Sequence, residues 1–216
     1  MSARVVTISA TFGAGGAVVG PAVAGRLGLP FVDRAIPERV AGEIGCTLEE
    51  ALAHDGRAES GIGRILAGAA RLPNVAMGGI DVYLPDRAIV PPEEFVEHTE
   101  RVIHRTAESG GVLLGRAAVV VLAGRPDVLH VRLDGPRARR LELAAAEMPG
   151  PGQGSGAPGR DVERMLDGND RARTAYVKHF YGADPADPRL YHLVIDTTRL
   201  PASTAVDLIV TAARAC

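Results

Sequence analysis

A run of glycines, Gly13-Ala14-Gly15-Gly16, follows the β-branched segment Arg4 to Ser9 and precedes an Ala/Val-rich stretch that ends at Leu27. Glycines between a buried strand and a helix leave backbone N–H groups uncovered, and the helix dipole favours an anion there, most often phosphate. Gly13, Ala14, Gly15, Gly16 and Ala17 are therefore the candidate phosphate-binding residues. The common phosphate loop G-x-x-x-x-G-K-[ST] needs a lysine after its second glycine. This chain has a single lysine, Lys178, far from the glycines, and its other basic residues are all arginine. Any phosphate chemistry must rest on backbone amides and guanidinium groups.

Three readings fit the loop. It can pack strand against helix closely with no ligand. It can open a dinucleotide-binding unit: Asp33 lies where a ribose-binding acid belongs, although the third glycine of G-x-G-x-x-G falls at Val18. Or it can serve phosphoryl transfer, which asks for positioning, positive charge and magnesium rather than covalent chemistry. A planar guanidinium grips phosphate through paired hydrogen bonds, and Arg137, Arg139, Arg140, Arg171 and Arg173 are available. Arg171 and Arg173, two apart on a helix, face different ways, so one of them at most shares a site with Arg140.

Other chemistries find less support. The six histidines show no metal-ligand spacing, and no Cys/His or Ser/His/Asp arrangement is readable. Tyr176, Phe180, Tyr181 and Tyr191 fit a helix end docked on the last strand better than a base-stacking platform. Asp196-Thr197-Thr198 reads as a turn or cap.

These residues need elements to position them. Strand-like runs are Arg4 to Ser9, Leu29 to Asp33, Val112 to Leu114, Val128 to Leu133 and Tyr191 to Asp196. Helical patterns lie between them: from the glycine loop to Leu27 with Gly28 as C-cap, then Pro37 to Ile44, Thr47 to His54 and Ser60 to Leu72. Further helices are expected over Glu93 to Ser109, Ala117 to Ala123, Pro136 to Glu147, Asp161 to Tyr181 and Ala202 to Ala215. Met148 to Gly159 is nearly all Gly, Pro, Ala, Ser and Gln, a flexible loop by composition. Short apolar strands alternating with helices predict an α/β fold with a parallel sheet covered on both faces, and ligands at the strands' carboxyl ends. Those ends carry the glycine loop, Asp33, Gly115-Arg116, Asp134 and Asp196.

A length of 216 residues with 46% hydrophobic content predicts one domain with an insertion, or two small lobes, rather than two full domains. A formal net charge of −2 argues against a nucleic-acid or anionic-membrane partner that relies on bulk charge. The two cysteines, Cys46 and Cys216, are distant, and no signal-peptide or membrane-spanning run appears, so a cytoplasmic location is expected. Small-molecule ligands are the expected partners, with a homo-oligomer left open.

Several collinear motifs then point to a family. Thr7 to Gly16 with Gly20, and Leu27-Gly28-Leu29-Pro30-Phe31-Val32-Asp33-Arg34, resemble the opening of the cytidylate kinase-like family. The resemblance continues through Val112-Leu113-Leu114-Gly115-Arg116-Ala117, Arg125 to Val131, Asp170-Arg171-Ala172-Arg173, Tyr181-Gly182 and Ile195-Asp196-Thr197, with little from residues 45 to 90. It implies a P-loop kinase-like three-layer sandwich whose five-stranded parallel sheet has the order 2-3-1-4-5. It also implies a core of residues 1–33 and 101–216, a monophosphate lobe over 34–100, and a lid over 137–173 with flexible 148–160.

The implied activity is transfer of phosphate from ATP, with Mg²⁺, to CMP, dCMP or a related small acceptor. In that scheme Arg34, Arg39, Arg116, Asp170 and Arg171 hold the acceptor, Arg140 and Arg173 close from the lid, and Asp33 organises acceptor or metal water. The alternatives are a non-catalytic nucleotide-binding sensor or interaction protein and a dinucleotide-binding oxidoreductase. The chain departs from the family pattern at its loop: Gly16 stands where cytidylate kinases have lysine, and Val18 where they have the magnesium-binding Ser/Thr. The family's usual charged loop positions are Ala10, Ala17, Val18 and Pro21, and the acids flanking its glycine-arginine pair are replaced by Leu114 and Ala117.

Overall fold

The computed structural model describes residues 3–33, 92–115, 117–147 and 160–216. Arg34, Arg39 and Arg116, the helices expected between Pro37 and Leu72, most of the 34–100 lobe and the 148–159 loop lie outside the described residues.

In chain order the elements are β1 (Val5–Ala10), α1 (Gly16–Leu27), β2 (Phe31–Val32), α2 (Pro92–Ser109), β3 (Gly111–Leu114) and α3 (Ala118–Val121). These are followed by β4 (Val128–Asp134), α4 (Arg137–Glu147), α5 (Arg160–Tyr181), a 3₁₀ turn at Pro188–Leu190, β5 (Leu193–Asp196) and α6 (Ala202–Ala215). The strands form one parallel sheet in the order β2-β3-β1-β4-β5. This is the expected order, and it differs from the 3-2-1-4-5-6 arrangement of dinucleotide-binding sheets. β1 sits at the centre, with Val5 to Ile8 opposite Gly111 to Leu114 and Val5 to Ala10 opposite Val128 to Leu133. The glycine loop therefore leaves from the middle of the sheet, flanked by the ends of β3 and β4.

The two faces differ in chemistry. Val6, Ile8, Leu129, Val131, Leu133 and Ile195 pack with Val19, Val23, Ile209 and Ala213 of α1 and α6 into an apolar layer. On the other face Val5, Leu113 and Val128 join Ile103, Leu122 and Val177 near the strands' amino ends. Towards the carboxyl ends that second face turns polar, with Thr7 and Ser9 on β1 and His130 and Arg132 on β4, all buried. A parallel strand covered on both sides ordinarily reads as a continuous apolar run. Val128-Leu129-His130-Val131-Arg132-Leu133-Asp134 alternates instead, because one side meets the apolar layer and the other meets a hydrogen-bonded interior.

Two strands are shorter than their sequence pattern. β2 is confined to Phe31 and Val32, with Asp33 just beyond its end, and β5 starts at Leu193 because Tyr191 closes the preceding 3₁₀ turn. Asp187 caps that turn through the Arg189 N–H.

Candidate phosphate site

The loop after β1 is shaped by left-handed glycines. Gly13 has φ +75° and Gly15 φ +68°, and Gly15 is the residue before the first turn of α1. Alternation of left- and right-handed backbone turns successive N–H groups inward to form an anion nest.

Its carbonyls are held elsewhere. Thr11 O accepts from the Ala14 N–H at 3.1 Å, and Gly15 O accepts from Val18 and Val19 at 3.1 and 2.9 Å. Phe12 O accepts from Arg140 Nη1 at 2.8 Å, and Ala14 O from the Thr197 hydroxyl at 2.9 Å. Among the described residues nothing accepts from the Gly13 and Gly15 N–H groups, and the first-turn N–H groups of Gly16 and Ala17 have no partner within their own helix. Among the described residues, the carbonyls of Thr11, Phe12, Ala14 and Gly15 are tied back while these donors face no acceptor, which is the geometry of an anion nest.

Gly16 shows why the lysine is missing. A β-carbon built there would lie 2.6 Å from Ala10 Cβ and 3.2 Å from Leu114 Cδ1. The methyl of Ala10 fills the space a side chain at position 16 would need. Val18 points outward and is 55% exposed.

Beneath the loop lies a cluster of arginines and aspartates. Arg140, on α4, is buried; its Nε donates to Gly135 O at 2.9 Å, and its Nη1 lies 2.9 Å from Asp170 Oδ2 on α5. Asp170 Oδ1 in turn accepts from the Phe12 N–H at 3.2 Å. Both polar groups of the Phe12 backbone are thus bound by one ion pair that bridges α4 and α5.

Arg173, one turn further along α5, donates to Ala10 O and to Ser9 Oγ at the end of β1. Among the described residues no carboxylate pairs with it at ion-pair distance, and burial pushes its pKa below the ordinary arginine range. It nonetheless stays a cation at neutral pH. Tyr191 Oη donates to Pro185 O at 2.8 Å and lies 3.1 Å from Ser9 Oγ, with the Arg132 guanidinium 5.7 Å from its ring centre.

Asp134 ends β4. Burial alone would raise its carboxyl, but hydrogen bonds from Arg132 and from the Gly135 and Thr11 donors outweigh this and hold it below the usual range. Arg132 reaches it at 2.6 Å, Thr11 Oγ1 at 2.9 Å and the Gly135 N–H at 2.9 Å.

The structure brings together Gly13, Ala14, Gly15, Gly16, Ala17, Arg140, Asp170 and Arg173. Arg171 is exposed on the far side of α5 from Arg173's contacts, and Asp33 stands across the sheet at the end of β2. Asp196 forms a turn, accepting from the Thr198 N–H at 3.0 Å and hydroxyl at 2.6 Å. Ser9 and Arg132 were not singled out by the sequence, and Thr197 was read there as part of a turn or cap, whereas its hydroxyl holds Ala14 O. The polar alternation along β4 is the only signal that could have exposed part of this interior.

A central parallel sheet in the order 2-3-1-4-5, with a glycine loop feeding a helix from its middle strand, defines a P-loop kinase-like α/β sandwich. The chain belongs to the cytidylate kinase-like family, whose model matches residues 5–199. A cytidylate kinase from Methanopyrus kandleri is 32% identical over 109 residues, covering 46% of this chain and 53% of that protein. The chain thus aligns with only about half the length of that relative. An uncharacterized protein from Eubacterium ventriosum shares the fold, with a TM-score of 0.64 at 16% identity over 97% of both chains. A shikimate kinase from Bacteroides thetaiotaomicron aligns over 95% of both chains at 12% identity with a TM-score of 0.48.

Proposed function

We propose that this protein binds the phosphate groups of a nucleotide, ATP in the first instance, at the Gly13–Ala17 loop, and that transfer to CMP or dCMP is slow or lost. The carrying observation is the division of the loop's polar groups, with carbonyls tied to Arg140, Thr197 and neighbouring amides while the Gly13 and Gly15 N–H groups meet no acceptor among the described residues. The arginines that would act on a transferring phosphoryl group are engaged. Arg140 holds Phe12, Gly135 and Asp170, and Arg173 holds Ser9 and Ala10. Taking positioned hydrogen-bond donors away from a transferring group lowers the rate steeply, because direct contacts to the developing charge are most of what the protein contributes.

A second reading keeps the kinase activity. Family membership favours it, with Arg34, Arg39 and Arg116 as acceptor-binding residues. ADP release measured across a panel of nucleoside monophosphates, beside ATP binding on the same preparation, decides between them. Binding without turnover on any acceptor supports a binder. Sustained ADP production with CMP or dCMP overturns it in favour of the kinase.

A further inference from the structure

Magnesium is the cation the family implies, and it makes definite demands on the residues around the loop. A hard divalent cation at a phosphate loop is held by a first-turn hydroxyl, by carboxylates with free oxygens, and by the phosphate itself. The first-turn position carries the isopropyl group of Val18, which offers no oxygen. Asp134 is bound by Arg132, Thr11 and the Gly135 N–H. Asp170 is bound by Arg140 and the Phe12 N–H, and Asp196 is closed into its turn by Thr198. Among the described residues no group of three or more His, Cys, Asp or Glu could hold a metal ion. These residues do not fit a magnesium site.

The positive charge that a metal would supply is present in another form. Among the described residues Arg132, Arg140 and Arg173 face Asp134 and Asp170, one cation in excess beneath the loop. Among those residues the excess falls on Arg173, a half-buried side chain bound to neutral acceptors at the end of β1, immediately before the loop. A charge partly withdrawn from water acts on an anion more strongly than one in bulk solvent and is screened less by salt.

Building on the proposed phosphate site, we infer that the Gly13–Ala17 loop takes its phosphate-bearing ligand in metal-free form, with the interior charge of Arg173 standing in for the divalent cation. Chelation by Mg²⁺ removes negative charge from a polyphosphate, so magnesium leaves binding unchanged or weakens it.

Isothermal titration of the full chain with inorganic pyrophosphate and with ATP, each in EDTA and in excess magnesium chloride, tests this. Both probes are expected to bind in EDTA with an affinity that magnesium does not improve. Tightening by magnesium beyond about threefold overturns the inference and leaves the phosphate site standing. No binding of either probe in either buffer overturns both. Two variants address the charge: Arg173→Lys is expected to keep binding in EDTA, while Arg173→Met loses about tenfold or more. Equal losses in two variants of equal melting temperature would remove Arg173 from the account.

Discussion

Restoring the lysine absent from this loop is predicted to fail unless a second residue changes with it. In Gly16→Lys the new β-carbon starts 2.6 Å from Ala10 Cβ, well inside the roughly 3.5–4.0 Å of an ordinary carbon contact. Leu114 Cδ1, at 3.2 Å, ends a flexible side chain and can turn away, but the Ala10 methyl is fixed to the central strand. Overpacking of this kind costs about 1–3 kcal/mol, and the better helix propensity of lysine returns at most about 1 kcal/mol. The single variant should therefore lose about 1–2 kcal/mol, or several degrees of melting temperature for a chain of this length. Ala10→Gly alone costs about 0.5–1 kcal/mol from strand entropy. In the double variant the clash is gone, so its loss should be smaller than the sum of the singles by about 1–2 kcal/mol. Urea unfolding of the four proteins gives the coupling directly. Additivity within about 0.5 kcal/mol would refute the steric account of why Gly16 cannot carry a side chain.

Other consequences follow from the same geometry. Gly13→Ala should destabilise far more than Gly15→Ala, although both have positive φ: a β-carbon at Gly13 meets Arg140 O at 2.3 Å, whereas nothing lies within 4 Å of one at Gly15. Thermal melts of the two variants check this, and equal losses would contradict it. Arg140→Ala leaves Phe12 O and Gly135 O without a donor and Asp170 without its cation. It should cost about 3–5 kcal/mol and weaken pyrophosphate binding in whatever fraction stays folded, measured by urea unfolding and titration calorimetry. His130 is buried against Thr7 and stacked on His192, and burial first and His192 second push its pKa down to about 4. The unfolded chain therefore takes up a proton near pH 6.5 that the folded chain refuses until about pH 4. The contribution of this group is complete above pH 6.5, falls as the pH drops towards 4 by up to about 3 kcal/mol, and is constant below. His130→Gln should flatten that slope in chemical denaturation across the same pH range.

Much of the frame was legible because period and punctuation mark it. Short apolar runs, four of them ending at glycine or aspartate and the first leading into the glycine loop, mark the five strands, and Gly28 closes α1 by donating to Ala24 O and Gly25 O as a C-cap does. The sheet order came from the resemblance, since strand composition alone does not say which strand lies beside which. The site was legible only in outline. Glycines announce a loop of unusual backbone, but nothing in Arg140 or Arg173 as letters says that their donors end on Phe12 O and Ala10 O. A backbone carbonyl has no signature in sequence. Tyr191 read as core, and its ring is buried, yet its hydroxyl reaches Ser9 and Pro185, a polar role that composition does not report.

The loop is assembled from parts of the chain that are far apart. Thr11 meets Leu133 and Asp134, Phe12 meets Asp170 and Arg140, and Ala14 meets Thr197. Closing each of these contacts requires β4, α4, α5 and the end of β5 to be in place already, and long closures come late in folding because their entropy is lost before the contacts form. The open amides therefore converge only once the chain is nearly native. An anion bound there acts on the finished state and not on the folding barrier, so pyrophosphate should slow unfolding while leaving the refolding rate unchanged.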